Sequence, residues 1–320
     1  MRHVQLPAIA LALLVAAPRP AAAQQARAGA QREADAALQA ERARDRRWQK
    51  LLPFRAEAAR RRGYDLPLPF GVSAMYVHNV EDLASSDLAV AFAKGGAVPA
   101  GTTLTPVPFV TTDGLRGRSG GVQFRADAWL LPNLNLFVNV GRMQGSVDVG
   151  VDIDLSQIAP AVLCRNGRCQ QHLDFKATVD NVTVTTGAIA VYGGQHWFGS
   201  VMASHTESFA SKERSDIRTS TAGVRVGPRF HPGRGTELTV YGGGQYLDID
   251  TVIEGALEAD DLFADGDALG LRYRTRAWNP TKWAAVFGFN LQIAKRWALQ
   301  AEYQGSKGNS RAILGAGFRF

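Results

Sequence analysis

The chain has 320 residues, 46% of them hydrophobic and 20% charged, with 36 Lys/Arg against 29 Asp/Glu and a formal net charge of +7. That apolar content supports a folded core and argues against a disordered chain. The basicity is local: residues 24–63 hold eleven Lys/Arg against five Asp/Glu, residues 64–320 hold 23 against 24, and no base-stacking motif accompanies it, so nucleic acid is excluded as a partner.

Residues 1–23 place Arg2 and His3 before the apolar run "LPAIALALLVAA" and the small residues "AAA", the layout of a cleavable secretory signal too short to span a bilayer. The mature chain is expected to start near Gln24. Residues 24–66, rich in Ala, Arg, Glu and Gln, predict a basic periplasmic helical segment interrupted at Pro53. Three roles stay open for it: a solvated tether, a segment docked on the mouth of the following domain, or a binder of anionic lipid or peptidoglycan through Arg60, Arg61 and Arg62.

From Leu68 onward the pattern has period two. Val122, Phe124, Ala126, Ala128 and Leu130 oppose Gln123, Arg125, Asp127 and Trp129; Trp283, Ala285, Phe287, Phe289, Leu291 and Ile293 oppose Ala284, Val286, Gly288, Asn290 and Gln292. Alternation alone fits a soluble sandwich or a membrane barrel, which differ in which face meets water. The joints separate them. Strands are expected near 67–78, 120–131, 134–149, 176–191, 195–206, 216–229, 236–250, 282–293, 296–306 and 310–320. Short turns at 132–133, 193–194, 231–235 and 294–296 alternate with mostly longer connections at 79–119, 150–175, 207–215, 251–281 and 306–309. Short periplasmic turns and long external loops are the parity of an outer-membrane barrel. The expected fold is therefore all-β: a transmembrane antiparallel up-and-down barrel over 67–320 with about ten strands, or twelve if residues 86–112 supply two more. In the strand beginning at residue 134 the pattern changes after Arg142, with Val147 and Val149 alternating with Asp148 and Asp152, which predicts a strand continuing above the membrane. Trp197, Phe230, Trp283, Trp297 and Phe320 are expected as an aromatic girdle at the periplasmic ends.

With those residues in view, 67–320 resembles the bacterial outer-membrane β-barrels. Gly315, Phe318 and Phe320 are similar to the C-terminal signal of that class, which implies recognition by the barrel-assembly machinery and residence among outer-membrane lipids. More narrowly, "YDLPLPFGVS", "ADAWLLPNLNLF" and the closing "RWALQAEY…GFRF" resemble a group of Gram-negative outer-membrane proteins, a likeness that implies no activity.

Ten strands imply a narrow lumen. Its expected inward-facing charged residues are Arg125, Asp127, Arg225, Arg229, Glu302, Arg311 and Arg319. Two readings stand: a plug of ion pairs satisfying buried charge, or an anion-leaning path, since arginines outnumber carboxylates in this set. In "CRNGRC", Asn166 and Gly167 form a strong turn pair, and a Cys164–Cys169 disulfide is expected in the exported protein. No metal or cofactor set emerges. The nearest approach to a catalytic cluster is "SHTES": Ser204 and His205 face opposite sides of a strand, and the spacing departs from that of the omptin proteases and the lipid A deacylases and phospholipases. The functional expectation is a non-enzymatic outer-membrane barrel, either a porin-like small-solute channel or a structural envelope protein, with a surface-interaction (adhesin-like) barrel as the alternative and, behind it, a rim hydrolase acting on lipid A or peptides.

Overall fold

A computed structural model describes residues 50–320 except 100, 108–109, 155–169, 211–215, 234 and 260–268. The expected signal, most of the basic segment and both cysteines lie outside the described residues. A short helix α1 (Ala56–Arg61) precedes β1 (Phe70–Lys94), β2 (Thr105–Pro106), β3 (Val110–Leu131), β4 (Leu134–Asp154), β5 (Gln170–Gly193) and β6 (Trp197–Ala210). Then come β7 (Asp216–Gly233), β8 (Thr236–Ala259), β9 (Leu269–Trp278), β10 (Trp283–Ile293), β11 (Trp297–Gly305) and β12 (Ser310–Arg319).

Every pairing is antiparallel between neighbours, and β12 returns to β1 with Arg319 opposite Gly71 and Ser310 opposite Val80, so the sheet closes and leaves no edge in lipid. β9 and β10 form one descending path against β8. Ala259 faces Leu269 and Asp250 faces Trp278 in its upper part; Tyr246 faces Trp283 and Thr236 faces Ile293 below. Ten strands therefore line the wall at the level of β10–β12. Above the β11–β12 turn, β9 pairs directly with β1, from Ala84 opposite Trp278 to Lys94 opposite Leu269. The hairpin thus ends inside a fork in the wall, and two asparagines close that fork. Asn279, wholly buried, accepts from the Ile249 amide and donates to the carbonyls of Leu247 and Thr281; Asn309 accepts from the Asp82 amide and donates to the same Thr281 carbonyl. Backbone groups stranded where the register breaks are thereby satisfied by side chains.

This topology corrects two expectations. Residues 86–94 continue β1 past a bulge at Asp87, which takes a left-handed φ of 58°, and β2 is only two residues long, so 86–112 adds no further wall strands. Residues 251–281 are largely strand rather than one loop, because β8 and β9 pair far above β10.

The chemistry of the faces changes with height. Low on the barrel the outward positions are apolar and exposed, including Val72, Phe124, Val138, Val224, Phe287 and Leu314. Higher, the same faces turn charged: Arg142 is bonded to Asp180, Arg276 donates through Nε and Nη2 to Asp250 at 2.9 and 2.8 Å, and Lys282 lies 2.8 Å from Asp248. Inside at the upper level, Leu115, Val147, Val149 and Ala277 form a buried apolar cluster. The pleat of β4 is unbroken through Arg142; the environment inverts around it, from lipid outside to water outside. A closed barrel with this belt is a transmembrane barrel of the bacterial outer-membrane type, and the outer membrane is its location.

Trp197, Phe230, Trp297 and Phe320 lie exposed beside the short turns, with Phe320 stacked on Phe70 at 6.0 Å and Phe318 against Trp297 at 4.9 Å. Trp283 does not belong with them. It opens a descending strand opposite Tyr246, so with Tyr246 and Lys282 it marks the upper boundary. The 11 residues of β10 between Trp283 and Ile293 match the length a tilted strand needs to cross the hydrocarbon core.

Candidate functional site

The barrel encloses a cavity of about 1370 Å³. Its floor is made by the chain just before β1: Arg55, Arg62, Tyr64, Asp65, Leu66 and Pro67 line it. This segment is seated rather than loose. Pro53, Ala56, Leu66 and Pro69 are buried, the Phe54 amide donates to the Leu130 carbonyl at 2.9 Å, and Lys295 in the β10–β11 turn donates to Asp65 at 2.6 Å. At the other end the cavity reaches the apolar side chains Leu83, Val147, Val179 and Ile253.

All seven charged residues singled out from the pattern line this cavity, in three separate groups with Arg229 apart. Near the floor Arg319 donates to Asp127 at 2.8 Å and to the Leu68 carbonyl at 3.0 Å; Asn135 bridges Arg125 (3.0 Å) and Asp127 (2.6 Å), and the Arg125 guanidinium lies 4.0 Å over the Phe137 ring. Gly71 sits between Asp127 and Arg319 on the three neighbouring strands, and a Cβ there would run into the Asp127 carboxylate. In the middle, Glu302 accepts both Arg225 Nε and Nη2 at 2.7 Å, Tyr241 Oη at 2.9 Å and Gln304 Nε2 at 2.6 Å. Gly288 leaves room for the Tyr241 ring in this group. Higher up, Arg311 donates to Asn79 at 2.7 Å and lies 3.4 Å from Glu81. Arg229 Nε, at the rim, is 3.2 Å from Glu237 at an angle too bent for a hydrogen bond.

Glu81 and Glu237 are the residues that sequence reasoning missed. With them, the five arginines face four carboxylates instead of two, and the anion-leaning excess nearly disappears. Glu81 falls where the alternation loses its apolar half, and Glu237 sits beside a turn. Their odd-numbered places on the inner faces of β1 and β8 were the available signal.

These charged groups run from the lower halves of β7 and β8 through β11 and β12 to β1 and β3; the inner faces of β5 and β6 and the upper part of β7 hold none of them. On β5, β6 and β7 the inward positions include Thr183, Thr185, Ser204, Thr206, Thr219 and Thr221. His205 faces outward, its Nδ1 3.2 Å from Ser220 Oγ and its Nε2 3.8 Å from Glu207, while Ser204 and Ser208 line the lumen. His205 thus shares no face with either serine of its own strand, and its backbone is held in the β5–β6–β7 ladder.

No protein-family model matches the chain, and no curated protein matches it. Among solved structures it is similar to the outer-membrane protein OprG of Pseudomonas aeruginosa, at 12% identity over 80% of this chain and 97% of that one, with a TM-score of 0.32. It is also similar to the toluene transporter TbuX of Ralstonia pickettii (10% identity, 80% and 90%, 0.32) and to the translocator domain of the autotransporter NalP of Neisseria meningitidis (13% identity, 90% and 98%, 0.32).

Proposed function

We propose that this barrel is a conduit for small polar solutes whose periplasmic end is closed at rest by residues 50–69. The observation that carries the reading is a single cavity extending from that segment to the upper apolar cluster with most of its lining charge already paired. The Arg225–Glu302 network follows neighbouring strands β7, β8, β10 and β11, and the other charged groups lie low on the same β7 and β8 or on β1, β3 and β12, which leaves the inner faces of β4–β6 without charged groups of this set. Balanced wall charge favours passage of neutral or weakly charged solutes over strong anion selectivity. Swelling of proteoliposomes in isotonic solutions of solutes of increasing size, compared for the full chain and for Leu66→Asp/Lys295→Glu, which unseats residues 50–69, tests it. Swelling by the variant that falls off with solute size supports a conduit; none from either protein with any solute assigns the barrel a structural role.

A further inference from the structure

We infer that the upper inward face of β4–β8, above Arg225 and Glu237, is a binding surface for a neutral polyhydroxyl solute. The inference deepens the conduit reading and rests on it only for how solute reaches the wall. Register places the hydroxyls in rows: Thr183, Ser208 and Thr251 fall at one level across these strands, with Ile217 between the last two, and Thr185, Thr206 and Thr219 at the next level down, bounded by Ile249. Threonine favours strands in any barrel, so its abundance alone indicates nothing. At these levels the outward positions are mixed, Val182 on β5 but His205, Glu207 and Arg218 on β6 and β7, so what marks this wall is that its hydroxyls line the cavity. Thr185 and Thr206 hydrogen-bond each other at 2.8 Å, and Thr183 reaches the Gly141 carbonyl only at 3.4 Å.

Three polar groups on the upper wall decide the ligand class there; the other unpartnered buried atoms among the described residues, Trp129 Nε1, Arg229 Nε and Arg319 Nη2, lie at the floor end. Asn181 Nδ2, Thr251 Oγ1 and Asn139 Oδ1 have no hydrogen-bond partner among the described residues, although their residues are 3%, 3% and 9% exposed. Buried polar groups in native proteins find partners, so these atoms call for a bound molecule or ordered water. Asn181 Nδ2 requires an acceptor and Asn139 Oδ1 requires a donor. An ionised carboxylate only accepts and would be repelled by the amide oxygen, a phosphate meets no cation among the described residues of this wall to offset its charge, and a hydrocarbon serves neither. Sugar-like hydroxyls donate and accept, as the threonine rows also do. The cavity of about 1370 Å³ has room for such a solute, since small-ligand sites commonly hold about 300–1,000 Å³.

The test uses the refolded full chain in a zwitterionic detergent, with trehalose as the neutral probe and inorganic phosphate as the charged one, binding being read by equilibrium dialysis. Thr185→Val with Thr206→Val removes both partners of one hydrogen bond at nearly constant shape, and heat-modifiable gel mobility confirms that the variant is folded. The expected result is saturable trehalose binding weakened about tenfold in the double variant, from two lost hydroxyl contacts. Binding should be unchanged in the outward-facing control Thr186→Val. No saturable trehalose binding by wild type, equal affinity in the double variant, or tighter binding of phosphate overturns the inference. Trehalose swelling of proteoliposomes carrying Leu66→Asp/Lys295→Glu, whose floor is unseated, separates the two readings. Swelling without wall-dependent binding keeps the conduit and removes the site; wall-dependent binding without swelling keeps the site and removes the conduit.

Discussion

Replacing Glu302 by alanine tests how the lumen tolerates charge. The side chains of Glu302 and Arg225 are 9% and 11% exposed, so solvent screening of the pair is slight. Removing the carboxylate leaves the Arg225 guanidinium without its two 2.7 Å bonds and deprives Tyr241 and Gln304 of an acceptor. Breaking one side of a buried pair costs about 3–5 kcal/mol. The double variant Arg225→Met/Glu302→Met removes the orphaned charge as well. Its remaining cost is the unmet Tyr241 and Gln304 donors, about 1–3 kcal/mol for each, a cost the single variant carries as well. Equilibrium unfolding in urea, followed by tryptophan fluorescence of barrels in lipid vesicles, measures both. The single variant should be the less stable of the two. If Glu302→Ala lies within about 1 kcal/mol of wild type, or the double variant is no better than the single, the network is hydrated and Arg225 is not buried in the sense used here.

Gly71→Val should shift the midpoint of urea unfolding downward while export remains normal, since the new side chain must displace Asp127 from Arg319; an unchanged midpoint would show that the pair is not closed over Gly71. Phe320→Ser should lower the yield of heat-modifiable, membrane-inserted barrel more than Arg319→Gln does, because Phe320 seals the β1–β12 seam against Phe70 in lipid; equal yields would remove that role. On the upper extension, the hydrogen bond from His172 to Asp152 holds the imidazole above its ordinary pKa, with desolvation opposing and Asp174 adding to the rise. The stabilisation is therefore fully present below the ordinary value near 6.5 and is lost as pH rises through the raised one. An NMR titration should show the raised midpoint in wild type and its fall in Asp152→Asn, and a wild-type midpoint at or below 6.5 contradicts the contact. Mass spectrometry of unreduced protein should find Cys164 joined to Cys169; free thiols there refute the disulfide.

Much of the wall was legible because a strand's period of two repeats the same environment at every second residue. The faces of β3, β10, β11 and β12 follow directly from their side chains, and the short turns set the parity of the ends. Pairing choices were not legible. Whether β9 meets β1 or β11 depends on where the β11–β12 hairpin stops, and the asparagines that close the fork carry no local sign of that task. Trp283 was misplaced because an aromatic residue at a strand end marks a boundary without saying which one. The hydroxyl rows were hidden for another reason: threonine suits either face of a strand, so only register across β5–β8 shows that the residues stand together.

The central claim is that a continuous lumen is closed from below by residues 50–69. Single-channel recording in planar bilayers, comparing the full chain with Leu66→Asp/Lys295→Glu, tests it most directly. The first substitution puts a charge at a buried position of the floor, and the second turns the Lys295–Asp65 attraction into repulsion. The account predicts low conductance from wild type and a larger, steady step from the folded variant. Equal conductance in the two proteins, or none in either, would contradict it.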